Sequence, residues 1–510
     1  MSVKIGKNVI EVLTTGMYTN PLFMYREYVQ NSADQIDTAV DQGILPERSD
    51  GRIFIKIDDR SRIVEFEDNA TGISAIDTLK TLTSIAASEK DRKKNKGFRG
   101  IGRLGGLAYC DELIFETSAR GEKTKSTLKW NAKLLRQILS DQSNKREAHE
   151  VVEDITDFSQ IDCEELEAHY FRVKLIHVTN PAILCIEDVR NYLSMVAPVQ
   201  ISNKFLFRSE IHEQFNKNNI KIDEYFVYVN QQEILKPYTS KIYQQNNGNK
   251  KAIDDVLDVK FIEIHDGEDL LAVGWYGITS VLQQIPSCNI VRGIRLRKGN
   301  IQIGESDALQ NLWNDRRFHF YFVGELHAVN PRLIPNGRRD YFDENDALQV
   351  FNEELSVFFN TNLYRLTHDA SKINAAMKKF DKHDELQKEL SKKTVNGFVS
   401  KNEHNELLTR VERSKEEVEK AIKDLSKIKD KAKNNSALEK IYKNVVGEKP
   451  KNEEQNKLIK IQKPIWQTDK LSKLSKKERK IVSDIYEVVI NVLTPDLAHN
   501  LILKIEERFK

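Results

Sequence analysis

The sequence predicts an α+β protein of about three domains that ends in a helical region. Three observations lead there. The chain has 510 residues, and a single hydrophobic core rarely grows past about 250–300. Its candidate strands come as hairpins interleaved with helices, which suits α+β better than a parallel sheet. From about residue 375 the chain turns rich in lysine and glutamate, with helical periodicity.

Composition narrows the class. Hydrophobic residues make up 39% and charged residues 31%, and no run approaches the roughly 18–20 apolar residues that cross a bilayer. Met1-Ser2-Val3-Lys4 leads into the chain without an apolar signal core, so a cytoplasmic protein with no membrane contact is expected. Cys110, Cys163, Cys185 and Cys288 are scattered, without metal-type spacing, and read as reduced thiols. Net charge is +2. Residues 371–510 carry a surplus of about ten basic residues, leaving the first 370 acidic by roughly eight. That surplus fits a solvated helical face or a nucleic-acid contact.

The elements follow in order. Val9, Ile10 and Leu13 have helical spacing. Asn20-Pro21 opens a second helix, since proline near a first turn forfeits only an N–H without a helical partner, and Gly43 stops it after Gln42. Arg52–Ile57 alternates as a strand, 58–61 turns, and Arg62–Phe66 returns to deliver Asp68. Residues 75–85 read as a helix. Residues 86–99 are almost all polar and are expected to be mobile, as a lid is. A short apolar helix near Leu104–Tyr109 follows, then strands at Glu112–Thr117 and Ser126–Trp130. Residues 140–168 read as an insertion, and Tyr170–Val178 resumes as a strand. Further strands are expected at Glu224–Val229, Val259–Ile264, Leu270–Tyr276, Gly293–Lys298 and His319–Glu325. Val411, Val418, Leu425 and Ala432 repeat every seven residues, which fits a short coiled coil or a helical hairpin within one chain. Residues 434–463 read as a polar linker. Residues 471–510 read as helical, with Val482, Ile485, Val488, Val489, Val492, Leu501, Ile502 and Ile505 on the apolar face.

Three segments carry chemistry. On the second helix Glu27, Asn31 and Asp34 stand at i, i+4 and i+7, which stacks a carboxylate, a carboxamide and a carboxylate on one face. Asp68-Asn69-Ala70-Thr71-Gly72-Ile73 follows a strand. Then comes the glycine cluster Gly97-Phe98-Arg99-Gly100-Ile101-Gly102-Arg103-Leu104-Gly105-Gly106. Gly100–Gly105 also spells GxGxxG, but the polar stretch before it is no strand, so a dinucleotide fold does not fit. No GxxxxGK[ST] is present, which excludes a P-loop enzyme on pattern.

In order and spacing these segments resemble the N, G1 and G2 boxes of the GHKL ATPases, nearest to the heat-shock chaperones of the HtpG type and the MORC-like branch. The resemblance covers roughly residues 8–130, with a weaker echo to about 345. It implies a Bergerat-fold two-layer α/β sandwich over 1–180, a transducer-like α/β middle domain over 181–370 and a basic helical or coiled-coil region over 371–510. It implies ATP and Mg²⁺ as ligands. Asn31 would offer Mg²⁺ an amide oxygen, Glu27 would polarise the attacking water, and Asp34 would order second-shell water or lid contacts. Asp68 would accept from the adenine amino group, beside Ala70, Gly72 and Ile73. Ala70 stands where the family's first loop glycine is expected, and a positive φ there would be strained. Ser88, Lys90, Lys96, Arg99, Gly100, Ile101, Gly102, Arg103, Leu104 and Gly105 would close over the phosphates with backbone N–H groups at a helix start. Leu333-Ile334-Pro335-Asn336-Gly337-Arg338-Arg339-Asp340 resembles the chaperone pattern Leu-Pro-Leu-Asn-x-Ser-Arg-Glu, so Arg339 or Arg338 would sense the terminal phosphate, with Lys298 a weaker candidate. Histidine-kinase chemistry does not fit, because the first histidine, His149, follows all three boxes.

The expected activity is a slow ATPase working as a homodimeric clamp. It would remodel a protein client or an operon partner as a chaperone does. Two alternatives stay open: a MORC- or MutL-like nucleic-acid clamp in prokaryotic defence or repair, and a nucleotide-gated scaffold with negligible turnover.

Overall fold

The computed structural model describes residues 6–14, 20–84, 102–141, 143, 145–246, 249–447 and 464–509. The chain divides into two compact units: residues 1–279 with 284–364, and residues 280–283 with 365–510.

The first unit starts with α1 (Asn8–Thr14) and α2 (Phe23–Asp41), closed by Gly43 at φ 70°. A hairpin follows, β1 (Arg52–Asp58) and β2 (Ile63–Asp68), then α3 (Thr78–Thr83). The segment Gly102–Ala108 is a 3-10 stretch where an α-helix was expected. Strands β3 (Glu112–Ser118) and β4 (Thr124–Asn131) lead into α4 (Ala132–Ser140). The expected insertion is instead α5 (Ala148–Ile155) and β5 (Thr156–Asp162). Strand β5 is the sheet edge, so mostly wetted polar side chains hid its strand character. Then come β6 (Tyr170–Ile176), α6 (Ile186–Val196), α7 (Arg208–Lys217), β7 (Phe226–Val229) and β8 (Gln232–Glu233).

These strands form one sheet in the order β5-β4-β3-β6-β2-β1-β7-β8. The strand expected to begin the second region, β7, pairs parallel with β1 and so belongs here. Alternation makes the sheet two-faced. Ile53, Ile55, Val64, Phe66, Leu113, Phe115, Trp130, Val173 and Leu175 are buried with Met24, Tyr25, Val29, Ala33 and Ile36 of α2. The opposite face carries an ionic lattice in which Arg172 meets Glu67 at 2.7 Å and Glu116 at 3.0 Å, and Lys174 meets Glu116 at 2.9 Å. One face is packed and one is wet, as in a two-layer sandwich.

A second sheet, ordered β13-β12-β14-β11-β10-β9, completes the unit. Its strands are β9 (Lys241–Asn246), β10 (Asn249–Asp266), β11 (Asp269–Thr279), β12 (Gly293–Lys298), β13 (Ile301–Gln302) and β14 (Val323–Ala328). The expected strand at 319 starts only at 323. Asp315 accepts the Arg317 N–H at 3.1 Å and caps a 3-10 turn over Arg316–Tyr321. Helix α8 (Asp346–Phe358) packs on β10 and β11.

The second unit is helical. Helices α9 (Tyr364–Asn396) and α10 (Lys401–Ala432) run antiparallel, tied at 2.7 Å between His383 and Ser414 and at 3.0 Å between Lys431 and Asp369. The heptad positions Val411, Val418, Leu425 and Ala432 are buried within this one chain, the helical-hairpin reading of the repeat. The segment read as a linker contains α11 (Ser436–Val446), capped by Asn435. Helices α12 (Lys476–Val492) and α13 (Pro495–Phe509) follow. Their expected apolar face splits. Val482, Val489, Ile502 and Ile505 pack around Tyr486 and Val399, while Ile485, Val488, Val492 and Leu501 are exposed, as is Ile481, which was not expected on that face. No helix among the described residues is long and apolar enough to cross a membrane.

Candidate active site

Helix α2 lies across the first sheet because its apolar stripe is buried there, which fixes the face carrying the polar residues. Glu27 and Asp34 are buried, and Asn31 is half-buried. Glu27 is flanked by Arg26, 3.5 Å away, whose guanidinium lies over the Phe23 ring.

The start of the glycine-rich 3-10 stretch sits on this face. Tyr28 Oη donates to Arg103 O at 2.9 Å and accepts the Gly106 N–H at 3.1 Å. A Cβ on Gly102 would come 2.4 Å from Glu27 Oε2, so a side chain there would have to push the carboxylate aside. Leu104 is buried in the core. Arg103 turns its guanidinium to Ser84 O, and burial pushes its pKa down to about 10. Gly105 is buried. Ser88, Lys90, Lys96, Arg99, Gly100 and Ile101 lie outside the described residues.

The acidic loop closes the third side. Asp68 is buried at the end of β2. Its Oδ2 accepts from Ser32 Oγ at 2.6 Å and its Oδ1 from the Ala70 N–H at 3.2 Å. Thr71 Oγ1 donates to Gln35 Oε1 at 2.9 Å, and the Ile73 N–H donates to Thr117 Oγ1 at 2.9 Å. Ala70 needs no positive φ. The left-handed residue is Gly72, at φ 63°, which is how the loop does without a first glycine. A Cβ on Gly72 would lie 1.9 Å from Ser118 O. Gly72→Ala should therefore cost about 2–3 kcal/mol, read as a Tm lowered by roughly 3–4 °C for a unit of this size. A Tm within about one degree of the parent would contradict this account of the loop.

A loop beyond the second sheet supplies the fourth side. Arg339 Nε lies 3.8 Å from Glu27 Oε1, and its NH1 donates to Gln30 Oε1. Arg338 next to it is exposed. Arg339 has φ 56°, held where its N–H reaches Asn336 O at 3.1 Å and its carbonyl accepts the Gly304 N–H at 2.8 Å. Lys298 is not in the cluster. Its Nζ donates to Asn330 O at 2.6 Å, and burial pushes its pKa down to about 8.

Glu27, Asn31, Asp34, Gly102, Asp68, Gly72 and Arg339 thus belong to one neighbourhood around α2. Sequence reasoning missed Gln30, Ser32, Gln35 and Thr117. Ser32 and Gln35 were readable as further polar residues of α2. Thr117, inside a strand, gave no signal.

The donor set has a chemical meaning. Among the described residues no group of three His, Cys, Asp or Glu side chains could hold a metal. A lone carboxamide such as Asn31 fits a hard cation like Mg²⁺, which keeps its waters and takes other oxygens from phosphates.

Comparison with known proteins adds a likeness for the N-terminal part of the chain. Residues 25–160 match the family model described as histidine kinase-, DNA gyrase B-, and HSP90-like ATPase. Chaperone protein HtpG of Psychrobacter arcticus is 24% identical over 139 residues, 24% of this chain and 21% of that one. The HtpG proteins of Clostridium botulinum (strain 657 / Type Ba4) and Buchnera aphidicola are 26% and 27% identical over 141 and 143 residues, 25% of this chain and 22% and 23% of theirs. The match thus spans little more than a fifth of each of these relatives.

Proposed function

We propose, from an N-terminal domain that is of the GHKL ATPase type and HtpG-like, that this chain is a slow, Mg²⁺-dependent ATPase. It works as a clamp that couples nucleotide binding to remodelling of a macromolecular partner. The observation that carries the reading is Arg339, brought from beyond the second sheet to Glu27 and Gln30 of α2. A cation at that place is what a departing phosphoryl group calls for.

The roles follow from the residues. Asp68, oriented by Ser32, accepts from the adenine amino group, and Gly72 lets the base approach the backbone. Backbone N–H groups at the start of the 3-10 stretch, at Gly102, Arg103, Leu104 and Gly105, would meet the phosphates. Asn31 would hold Mg²⁺, which when bound neutralises charge on the β- and γ-phosphates. Glu27 takes the proton of the attacking water as its oxygen bonds to the γ-phosphorus and the bond to the ADP oxygen breaks. Arg339 stabilises the charge on the transferring group. Asp34, buried one turn beyond Asn31, orders the end of the site.

A homodimer and a protein client complete the reading. They are supported by the HtpG likeness and by Ile481, Ile485, Val488 and Val492, an exposed aliphatic stripe at i, i+4, i+7 and i+11 on α12.

The test starts with calorimetry of Mg-ATP binding and mass measurement with and without a non-hydrolysable analogue. Turnover is then compared with denatured client protein, with DNA, and alone. Binding, a doubling of mass with nucleotide and stimulation by client are expected. No heat of binding at millimolar ATP would end the reading. Stimulation by DNA with steep salt dependence would transfer it to a nucleic-acid clamp. Arg339→Ala should lower kcat by about tenfold or more, while Arg338→Ala stays within about threefold. The reverse order would reassign the phosphate sensor.

A further inference from the structure

We infer that Gln30 is a positioning residue: it seats Arg339 at the terminal-phosphate position and so sets the preference for ATP over ADP. The inference rests on the ATPase reading above.

Gln30 stands on α2 at i+3 from Glu27 and i−1 from Asn31, on the face that carries the cluster. It is 1% exposed. Its Oε1 accepts from Arg339 NH1, and its Nε2 has no hydrogen-bond partner among the described residues. A long amide buried with half its hydrogen-bonding capacity unused is costly for a helix to keep. Helix propensity does not single out glutamine there, and the bond to the arginine is the use of its amide that the structure shows.

The arginine needs such a seat. Its left-handed backbone is disfavoured for a side-chain-bearing residue and persists only where the surroundings over-determine it. The Asn336 and Gly304 contacts fix the backbone end, and Gln30 fixes the guanidinium. Glu27 is the competing acceptor, 3.8 Å from Arg339 Nε. A neutral amide holds NH1 without drawing the guanidinium onto the carboxylate, so Nε, 3.8 Å from Glu27, can exchange the carboxylate for a phosphate oxygen. Without the amide, the guanidinium is drawn further onto the base and ties it up.

The experiment uses the full chain as wild type, Gln30→Met, Arg339→Ala and the double variant. Gln30→Ala serves as a second substitution if the thioether repacks. Gln30→Met should lower kcat roughly tenfold and raise KM for Mg-ATP roughly tenfold, since in a slow ATPase KM follows the dissociation constant. It should also reduce the ratio of affinities for a non-hydrolysable ATP analogue over ADP by a similar factor. The double variant should be no slower than Arg339→Ala by more than about twofold, because both changes remove one device. Multiplying effects in the double variant, or equal losses of analogue and ADP affinity, would overturn the inference and leave Gln30 a packing residue. A slow Arg339→Ala beside a normal Gln30→Met overturns this inference alone. A fully active Arg339→Ala overturns the role given to the arginine, and this inference with it.

Discussion

Glu27→Ala is expected to abolish most turnover while leaving ATP binding intact. A positioned general base contributes about 10²–10⁴ in rate, so kcat should fall by that factor, and Glu27→Gln should fall nearly as far because the isostere cannot take a proton. The binding constant should change little. Adenine, metal and phosphate contacts are assigned to Asp68, Asn31 and the backbone after Gly102, and none needs the carboxylate. Two features of the site support so large an effect. The carboxylate is buried between Arg26 at 3.5 Å and Arg339 at 3.8 Å, and the backbone at Gly102 passes close against it. Single-turnover hydrolysis beside calorimetric titration separates the two quantities. Turnover within about threefold of wild type, with binding retained, would remove Glu27 from the chemistry.

The second large effect is on stability and lies away from the site. Glu325 on β14 is 1% exposed and is the centre of a buried ionic cluster. It accepts from Lys236 Nζ at 2.8 Å, Tyr238 Oη at 3.1 Å and His327 Nε2 at 3.1 Å, and pairs with Arg297 NH2 at 2.7 Å. Burial alone would raise its pKa. Arg297 and Lys236 more than offset that, so the carboxyl lies well below the usual range. Burial also pushes Lys236 down to about 8 and His327 to about 4, so the lysine is charged and the imidazole neutral at neutral pH. Glu325→Ala would strand two buried cations, and removing one partner of such a pair costs about 3–5 kcal/mol. Urea unfolding should show that loss. Combining Glu325→Leu with Lys236→Met and Arg297→Met should recover most of it, because apolar groups of similar volume need no partners. A loss under about 1 kcal/mol for Glu325→Ala would mean that water reaches the cluster.

This cluster also joins the two sheets. Lys236 follows β8 of the first sheet, and Arg297 on β12 of the second donates to Met195 O in α6 at 2.7 Å. Asn300 takes the Lys236 Nζ at 2.6 Å and donates to Asp223 O at 2.5 Å. Asp223 shares Arg48 with Asp37 of α2, at 2.8 and 2.7 Å. The helix that carries the candidate base is thereby tied to the sheet beyond which Arg339 lies.

Much of the first unit was legible because its signals are local. The 52–68 hairpin follows from alternation and a polar turn, and α2 from its period and Gly43. Other elements were hidden for identifiable reasons. The wet edge strand β5 looked like a loop, and α11 looked like a linker because its short apolar face lies among lysines. Glu325 and its buried partners come from three separate segments, 236–238, β12 and β14, and no sequence window contains them together.

By itself the sequence determined which residues are candidates: a carboxylate, an amide and a carboxylate on one helical face, an aspartate at a strand end and a glycine run. Periodicity and backbone sterics act over a few residues and leave their mark in the order of the chain. Only the tertiary structure decided which of Arg338 and Arg339 lies against Glu27. That contact closes between Gln30 and Arg339 across 309 positions, and it depends on a left-handed backbone turn and the docking of a second sheet, which packing energy and not local propensity brings about.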